Sequence, residues 1–561
     1  MWHIYIVYYT FKDTTDKNEE TNVHYEDIIR KFRIEDNILI GQELPISRES
    51  INVSEILLEA LKSKPNCIGQ VDALRGKKQT YAEISERSIK CALWLKKHNV
   101  KPGDIIGLCT DNDIDAILIL LGVMYIGAIV NTWDHELSPI TAKYFLSVTS
   151  PKIVFTIPSS AISLTKAAYE LKMSIKIVVL QEQDEFTSFD DILINHDSRD
   201  IAEFKCTPIS KPEEVALIVL SSGTTGMPKA TEISHYSLRA CLPPEKITEM
   251  KNHVCTWTPT LRWHYGVQLA FEAIMACSTR IIVPDWNNDV AYCEFIEKYK
   301  VTWFSADPCM LIRFIKTNLL EKYRLSTLRE IAVSGSHFGK EHHEALAKKL
   351  SHTLILNGYG STDSGGDVCV QVKGCKPGSI GLVAPNVRLK VANLETGEAL
   401  KAHQTGELRI KLPCIMNGYH KNPEATKRAF DSDGWLCTGD LGYYDNDGEV
   451  YIIDRISHFI LFRSINISPA EIEYVLGTHP AVLHVAVIGI PHEVDEQHPM
   501  AVISRVPGKT VTKEELISLV ENNMPDHCKL RAGVEFLDEL PRTTTGKIAK
   551  KTLYKMFVQI V

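Results

Sequence analysis

The sequence lacks the cysteine patterns of zinc modules and of small secreted domains. Its 14 cysteines are scattered over 561 residues, no CxxC pair occurs, and no Cys/His cluster has zinc-finger spacing. A chain of this length can bury a large apolar core without cross-links. We therefore expect reduced, mostly buried thiols, as is usual in a reducing compartment.

Long apolar runs and runs of positive charge are also absent. The most apolar stretch, residues 114–130, is interrupted by Gly122 and Gly127 and falls short of the roughly 20 residues of a membrane span. We expect a buried helix there and no integral membrane segment. The net charge of -8, without a Lys/Arg run, argues against nucleic-acid binding.

We also expect no targeting signal. The short apolar part of the N-terminus has no basic region before it, which argues against a signal peptide. The chain ends in Gln559-Ile560-Val561 rather than in a Ser-Lys-Leu peroxisomal address. The cytoplasm is therefore the expected compartment.

What the sequence does contain is an alternation of short β-branched runs with amphipathic segments, which predicts a mixed α/β fold. The expected strands are residues 105–108, 215–220, 331–333 and 354–356, and the clearest helices are 81–97 and 341–350. The pattern changes after Asp454, where a small α+β domain is expected. We predict an N-terminal extension over residues 1–50, a large domain over 51–453 and a small domain over 454–561.

The strongest local signal is a segment rich in glycine and hydroxyl groups that directly follows the predicted strand 215–220. It reads Ser221-Ser222-Gly223-Thr224-Thr225-Gly226-Met227-Pro228-Lys229. Glycines let backbone N–H groups turn inward, the hydroxyls add donors, and the lysine adds positive charge, which together suit a polyphosphate. The spacing is not that of a Walker A loop. Taken alone, the segment is also compatible with a flexible surface turn.

A second signal, Asn357-Gly358-Tyr359-Gly360-Ser361-Thr362-Asp363, follows the predicted strand 354–356. α/β sheets bind their ligands at strand ends. Tyr359 is able to stack on a purine, Thr362 to bind a phosphate, and Asp363 to hold Mg²⁺ through oxygen. A plain glycine-rich turn is the alternative.

Two further segments are informative mainly in combination with the others. The segment 434–442 places Asp440 between glycines, where a carboxylate can approach a ribose, and it is followed by Tyr451-Ile452-Ile453-Asp454-Arg455. The segment 541–547 ends in Lys547. Alone, the first is typical of a hairpin turn and the second of a solvated loop.

Together, these four segments resemble the adenylate-forming superfamily of acyl-CoA synthetases, 4-coumarate–CoA ligases and beetle luciferases. The resemblance is collinear from Tyr81 to Leu553 and includes weaker blocks over residues 376–381 and 416–426. It implies a large, multi-lobed α/β adenylating domain and a small mobile α+β domain, with the hinge at Asp454.

The resemblance also implies site residues. Those that would contact ATP are Ser221, Ser222, Gly223, Thr224, Thr225, Gly226, Lys229, Tyr359, Gly360 and Asp440, and the catalytic ones are Lys547, Thr362 and Arg455. Asp363 would hold Mg²⁺. Lys547 would bridge the attacking carboxylate and the α-phosphate, where a cation stabilises charge that grows in the transition state. The acyl pocket would be lined by His264, Tyr265, Ser334, Gly335, Ser336 and Gly358, and Ser334 would narrow it or make it more polar.

The sequence departs from the family pattern mainly after the hinge. Ser457 and Leu461 stand where relatives have lysines, and Ser464 stands where they have a glycine on the path of CoA. Arg463 keeps a positive charge beside that path. Because these positions serve the second half-reaction, adenylation is better supported than thioester formation, and light production is disfavoured. Asp363 replaces the usual Glu, and Ala230 a common Gly.

Four functions remain open at this point. The leading one is an acyl-CoA ligase that uses ATP, Mg²⁺ and CoA to activate a fatty or aryl carboxylic acid. The others are a nucleotide- or acyl-binding protein that has lost turnover, a ligase that loads a carrier protein in trans, and a luciferase-like oxygenase. Sequence alone leaves the acid and the oligomeric state undetermined.

Overall fold

The alternating sequence pattern folds into layered α/β structure, as predicted. The computed structural model describes residues 24–46, 51–133, 135, 137–181, 183–221, 228–284, 288–456, 459–463, 465–543 and 547–558. Within these ranges the chain forms a large N-terminal domain with three sheets and a small C-terminal domain with one. The exact domain boundaries remain a prediction.

The strands are short, as expected for an α/β protein. In chain order they are β1 Arg33–Glu35, β2 Ile38–Ile40, β3 Ile68–Asp72, β4 Lys78–Thr80, β5 Ile105–Cys109, β6 Ile129–Trp133, β7 Ile153–Thr156, β8 Lys176–Val179, β9 Thr187–Ser188, β10 Val215–Ser221, β11 Lys229–Ser234, β12 Val254–Trp257, β13 Thr279–Ile282, β14 Trp303–Ala306, β15 Glu330–Val333, β16 Leu354–Ser361, β17 Gly366–Val370, β18 Leu382–Val383, β19 Arg388–Ala392, β20 Gly406–Lys411, β21 Gly418–Tyr419, β22 Leu436–Tyr444, β23 Val450–Arg455, β24 Ile460–Phe462, β25 Ile465–Ile467, β26 Val482–His492, β27 Glu496–Arg505 and β28 Val534–Phe536.

Helices cover the faces of the sheets. In chain order they are α1 Tyr25–Ile29, α2 Val53–Ser63, α3 Tyr81–Lys97, α4 Ala116–Tyr125, α5 Pro139–Thr149, α6 Pro158–Glu170, α7 Phe189–Ile192, α8 Ser198–Ala202, α9 His235–Ala240, α10 Pro244–Glu249, α11 His264–Ala276, α12 Asp289–Tyr299, α13 Pro308–Lys316, α14 Leu319–Lys322, α15 Lys340–Lys349, α16 Pro423–Ala429, α17 Pro469–Gly477, α18 Lys513–Asn523 and α19 Lys550–Val558.

Two largely parallel sheets form the centre of the large domain. One has the order β21-β11-β10-β6-β5-β7-β8-β9, and the other β18-β17-β16-β15-β14-β12-β13-β3-β4. The continuous apolar run of β10 is buried because β6 and β11 pair with its two edges and helices cover its faces. The predicted strands in both sheets are confirmed.

The apolar stretch 114–130 forms α4 and then enters β6. Every residue of α4 is buried, because the helix packs against α3 and lies in the core between the two sheets. The prediction of a buried helix is confirmed. Within the described ranges, no helix combines the length and the apolar character that crossing a bilayer requires.

A third, antiparallel sheet has the order β1-β2-β19-β20-β22-β23. Its first two strands come from residues 24–46, so this part of the predicted N-terminal extension packs onto the large domain. Its last strand, β23, carries Asp454 and Arg455. The sheet therefore leads directly to the predicted hinge.

The small domain is built on the sheet β25-β24-β27-β26, with β28 added beside β27. Helix α18 begins with a capping box, in which the Thr512 hydroxyl accepts from the Glu515 N–H and the Glu515 carboxylate accepts from the Thr512 N–H. Thr512 followed three residues later by Glu515 is the sequence signature of such a cap.

One expectation about the cysteines is wrong. Cys67 and Cys277 form a disulfide with their Cα atoms 6.7 Å apart, whereas the other twelve cysteines, all of them in the described ranges, are not disulfide-bonded. Cys67 directly precedes β3 and Cys277 lies just before β13. These two strands are parallel neighbours in which Gln70 pairs with Arg280. The pairing register therefore brings together two cysteines that lie 210 residues apart.

Candidate active site

One cavity of about 2000 Å³ lies between the large and the small domain and receives all four sequence signals. The predicted site residues on its wall are Lys229, His264, Tyr265, Ser334, Gly335, Ser336, Gly358, Tyr359, Gly360, Thr362, Asp363, Asp440, Arg455 and Lys547. Other predicted positions lie outside the described residues, namely Ser222, Gly223, Thr224, Thr225, Gly226, Ser457 and Ser464, and Ser221 is described only as the last residue of β10. Residues from both domains therefore face a single space.

The tyrosine segment differs from the sequence expectation of a strand that ends at Leu356. β16 continues to Ser361 because it pairs with β17 in an antiparallel hairpin, which places Tyr359 within a strand. The turn of the hairpin follows. Ser361 and Ser364 close it, each side-chain hydroxyl accepting from the backbone N–H of the other. Thr362 and Asp363 lie in this turn, facing the cavity.

Asp440 joins Tyr359 and Arg455 into one polar cluster. The Tyr359 hydroxyl donates to Asp440 Oδ2 at 2.6 Å, and Arg455 Nε donates to Asp440 Oδ1 at 2.7 Å. Asp440 and Arg455 are direct cross-strand partners on β22 and β23. Burial raises the pKa of Tyr359, and the neighbouring carboxylate raises it further. The cluster thus presents a fixed anion beside an aromatic ring, an arrangement suited to a nucleoside.

A second cluster surrounds Asp363. Its carboxylate accepts from Thr231 Oγ1 at 3.2 Å and from the Tyr419 hydroxyl. Lys229 Nζ lies 4.4 Å from the centroid of the Tyr419 ring. The lysine that closes the Ser/Thr/Gly segment and the predicted magnesium ligand therefore share one corner of the cavity. Sequence reasoning missed Tyr419, although it lies inside the weaker block 416–426.

The tail lysine reaches the same cavity. The side chain of Lys547 is exposed and lines the cavity, so its accessible area faces the cavity. Burial lowers the pKa of Lys547, the positive charge of Arg455 lowers it further, and Asp440 opposes both effects. The small domain therefore brings its lysine close to the Asp440 cluster.

The predicted hinge residue fixes this arrangement. The Asp454 carboxylate accepts from Ser468 Oγ and from the Ala470 N–H, both at 3.2 Å. Ala470 lies in the first turn of α17, where N–H groups lack partners within the helix and the helix dipole favours an anion. The last strand of the large domain is thus joined to the first helix of the small domain.

A second contact between the domains involves Lys316 at the end of α13. Its ammonium donates to the carbonyl oxygens of Gly477, at 3.3 Å, and Val482. Burial lowers the pKa of Lys316 to about 8. The Tyr474 hydroxyl of α17 also donates to Glu341 on α15. These contacts hold the small domain in the orientation that points Lys547 inward.

The predicted acyl pocket begins at the N-terminus of α11. His264 is buried, its Nε2 finds no hydrogen-bond partner among the described residues, and burial lowers its pKa to about 4. Tyr265 lies beside it, and burial raises the pKa of this tyrosine to about 12. A neutral imidazole with an unused ring nitrogen thus lines the cavity.

The serine-glycine-serine segment lies nearer the solvent. Ser334 is half-buried, and Gly335 and Ser336 are exposed. Gly335 has a φ of +99°, a conformation that glycine adopts without strain. Gly358, in β16, completes the predicted set of acyl-pocket residues on the wall.

Further polar residues of the pocket were missed by the sequence analysis. Lys246 on α10 bridges Glu272 on α11 and Asp367 on β17. Glu272 is the one carboxylate on the mostly apolar helix α11, and this was the signal in the sequence that pointed to it. Its partners could not be read from the sequence because they come from distant segments.

Arg463, predicted on the CoA path, lies apart from the cavity wall, in the turn after β24. Its Nε donates to Asp495 Oδ1 at 2.6 Å, and the other oxygen of Asp495 accepts from His498 at 2.8 Å. The hydrogen bond from Arg463 lowers the pKa of Asp495 to about 2. The guanidinium is therefore oriented by the hairpin of β26 and β27. Its role on the CoA path stays a prediction.

Buried neutral histidines predict a dependence of stability on pH. Burial lowers the pKa of His235 from 6.5 to about 4, so below pH 6.5 the unfolded chain binds a proton that the folded chain does not. The stabilisation is present above pH 6.5 and falls by about 2 kcal/mol between pH 6.5 and 5. We expect His235→Gln to lose less stability than the wild type over this interval, measured by denaturant unfolding. Equal losses in the two proteins would contradict the assignment.

The geometry defines a two-domain α/β protein in which residues from both domains line one large cavity. The model of the AMP-binding enzyme family matches residues 59–420, and that of the AMP-binding enzyme C-terminal domain matches residues 471–547. The chain therefore belongs to the AMP-binding enzyme family, the adenylate-forming enzymes, as the resemblance indicated. This membership supports acid adenylation in general.

Known relatives span nearly the whole chain. It is 31% identical over 508 residues to luciferin 4-monooxygenase of Photuris pensylvanica, covering 88% of this chain and 92% of that protein. It is 28% identical over 561 residues to a 4-coumarate–CoA ligase of Humulus lupulus, covering 96% and 98%. The structure of a luciferase-like enzyme from the nonluminescent mealworm Zophobas morio matches with a TM-score of 0.68 at 29% identity, covering 75% of this chain and 99% of that one.

Proposed function

We propose that this protein is an acid–thiol ligase that uses ATP to convert a carboxylic acid to an acyl-adenylate and then transfers the acyl group to CoA. The observation that carries the proposal is the single cavity in which Lys547 of the small domain meets the Asp440 cluster of the large domain. The family membership supports the first half-reaction, and the likeness to a 4-coumarate–CoA ligase supports the second.

In this proposal the Asp440 cluster binds the nucleoside part of ATP, and the Asp363 cluster lies beside its phosphates. The aromatic ring of Tyr359 faces the adenine, and the Asp440 carboxylate, held by Arg455, accepts from the ribose hydroxyls. Lys229 and the hydroxyls of the preceding segment bind the β- and γ-phosphates, and the Thr362 hydroxyl binds the α-phosphate. Each contact fixes the α-phosphorus in position for attack, so much of the catalytic effect is positioning.

Lys547 acts where charge develops. Its ammonium lies between the incoming carboxylate and the α-phosphate, lowers their mutual repulsion and stabilises the pentavalent transition state. As the carboxylate oxygen bonds to the α-phosphorus, the bond to the bridging oxygen breaks and pyrophosphate leaves. The partial removal from water that lowers the pKa of Lys547 also strengthens its attraction to both anions.

Magnesium fits the Asp363 corner. A carboxylate oxygen is a hard ligand, and Mg²⁺ is usually bound by one or two carboxylates together with phosphates and water. Asp363 would hold the ion near the Lys229 end of the cavity, where Mg²⁺ would neutralise phosphate charge. Thr231 and Tyr419 hold the carboxylate in position for that contact.

For the second half-reaction we propose that the small domain rotates about Asp454 and presents a different face to the acyl-adenylate. The thiol sulfur of CoA then attacks the acyl carbon, and AMP leaves. In this proposal Arg463 attracts the phosphates of CoA after the rotation. Leu461 supplies no charge and is partly exposed, so we expect this step to be slow relative to adenylation.

The proposal predicts a separation of the two half-reactions. With a suitable acid, we expect ATP–pyrophosphate exchange that depends on the acid, and a slower release of acyl-CoA that depends on CoA. The measurement is exchange of labelled pyrophosphate across a panel of acids, followed by chromatographic detection of the thioester. Folded protein that exchanges with no acid would contradict adenylation. Exchange without any thioester would leave a carrier protein as the acceptor.

The likeness to luciferin 4-monooxygenases raises a second candidate, an oxygenase that oxidises the adenylate with light emission. Assaying light with luciferin, ATP and oxygen tests it directly. We expect no light above the background of a heat-denatured sample, because Leu461 and Ser457 stand where the luciferase-like pattern has lysines.

A further inference from the structure

We propose that the acyl pocket takes a carboxylic acid that carries a basic nitrogen at the end remote from its carboxylate. This inference rests on the proposed adenylation and adds the class of acid. It is carried by a group of charged side chains at the inner wall of the cavity, here called the acidic wall: Lys246, Glu272, Glu330 and Asp367.

Hydrogen bonds hold the acidic wall together. Lys246 Nζ lies 2.8 Å from Glu272 Oε1 and 2.7 Å from Asp367 Oδ2. Gln268 Nε2 donates to the same Glu272 oxygen at 2.9 Å and lies 3.5 Å from Asp367 Oδ2. The side chain of Glu272 is 2% exposed, that of Lys246 18% and that of Asp367 23%. What remains of their accessible surface contributes to the cavity wall.

The wall has more carboxylates than cations. Lys246 is its single ammonium, whereas Glu272, Asp367 and Glu330 are all acidic. Glu330 accepts from the indole N–H of Trp303 at 2.8 Å. Burial raises the pKa of both Glu272 and Glu330, which means that their negative charge is held at a cost in the free protein. A bound cation would lower that cost.

The acidic wall is connected to the nucleotide site through the β16–β17 hairpin. Asp367 on β17 is the cross-strand partner of Gly360 on β16, and Gly360 directly follows Tyr359. Asp367 is also close enough to affect the pKa of His264 and Tyr265. The acyl pocket therefore runs from the adenylation site past His264 to the acidic wall.

Charge decides which acids fit. An apolar chain that reached the wall would displace water from the carboxylates without forming hydrogen bonds to them. Leaving buried polar groups without hydrogen bonds costs free energy. A second carboxylate on the substrate would find the ammonium of Lys246 already paired with Glu272 and Asp367, and these two carboxylates would repel it. An ammonium, in contrast, donates up to three hydrogen bonds and is attracted by the excess negative charge. Aminoalkyl acids, and aryl acids that carry an aminomethyl group, satisfy these conditions because their amines are protonated at neutral pH.

The test compares acids of matched shape by ATP–pyrophosphate exchange on the full-length protein. The panel contains ω-aminoalkanoic and (aminomethyl)benzoic acids, the same acids with methyl in place of the amine, and dicarboxylic acids of equal length. We expect kcat/KM for at least one amine-bearing acid of the panel to be about 100 times that for its methyl counterpart. A site built to hydrogen-bond a polar group rejects the analogue that lacks the group. Methyl or dicarboxylic acids that react as well as the amino acids would overturn the proposal.

Variants show whether the preference comes from the acidic wall. Asp367→Asn and Glu272→Gln keep the shape and remove one negative charge each, and we expect each to lower kcat/KM for the amino acid at least tenfold while changing that for its methyl counterpart less than threefold. Glu245→Gln, on the same helix as Lys246 but not on the cavity wall, is the control and should change neither. Equal losses for both acids would show a structural role and contradict the proposal.

The outcomes also separate this inference from the proposed function. If methyl or dicarboxylic acids exchange and amino acids do not, adenylation stands and only the substrate class is wrong. If no acid of any kind supports exchange while ATP still raises the melting temperature, the adenylation itself is wrong. Because the wild-type panel decides the substrate class by itself, the test does not depend on the folding of any variant.

Discussion

Replacing Lys547 by alanine is expected to lower the rate of ATP–pyrophosphate exchange about a hundredfold to a thousandfold, which corresponds to about 2.7–4 kcal/mol of transition-state stabilisation. The ammonium is the group that the small domain delivers to the cavity, next to Asp440 and Arg455. Without it, the carboxylate of the acid must approach an anionic phosphate with no cation between them. The effect should appear mainly in the rate constant, because the charge acts where the new bond forms.

The matched control is Lys555→Ala, which removes the same charge from the exposed side of α19. We expect this variant to exchange at the wild-type rate, and both variants to have wild-type melting temperatures. A Lys547→Ala protein that retained more than a tenth of the wild-type rate would show that the lysine is not at the reacting atoms. If Lys555→Ala lowered the exchange rate equally, the loss would reflect the total positive charge of the C-terminal segment rather than the position of Lys547.

Replacing Asp440 by alanine should weaken ATP binding by roughly tenfold to a hundredfold, because hydrogen bonds to a charged group contribute about 1.5–3 kcal/mol each. Asp440 is 6% exposed, and its carboxylate accepts from Tyr359 and Arg455 in the free protein. Removing it takes away the proposed ribose acceptor and leaves the Tyr359 hydroxyl and the Arg455 guanidinium without that partner. We expect the dissociation constant of ATP, measured by calorimetry, to rise and the melting temperature to fall.

The matched control is Asp447→Ala on the turn between β22 and β23. Its carboxylate pairs with Lys376 at the surface and is 71% exposed, so the pair contributes little to stability. ATP should bind this variant as it binds the wild type. An Asp440→Ala protein with unchanged ATP affinity would place the ribose elsewhere in the cavity and would contradict the assignment of Asp440.

The sequence was most informative where a local rule decides the structure. The continuous apolar run 215–220 required a strand covered on both faces, and Thr512 with Glu515 required a helix start. The sequence was less informative about where strands end. β16 was expected to stop at Leu356, but pairing with β17 extends it to Ser361. Strand length depends on what lies alongside, and the partner strand is not visible in a local pattern.

The same reason explains the residues that were missed. Lys246 and Asp367 are 121 positions apart and meet only because α10 and β17 face the same cavity. Cys67 and Cys277 meet because β3 and β13 are neighbours. Nothing in the local sequence around any of these residues sets it apart, since a surface lysine and a buried, paired lysine look alike in a sequence.

By itself, the sequence determined the fold class, the family and the order of the nucleotide-binding segments, because these depend on short motifs whose chemistry is contained in a few consecutive residues. Tertiary structure alone decided that Tyr359, Asp440 and Arg455 form one cluster, that Lys547 reaches it, and that a charged wall faces the acyl pocket. Such contacts join chain segments far apart in sequence, and their distances are set by the packing of sheets and helices between them.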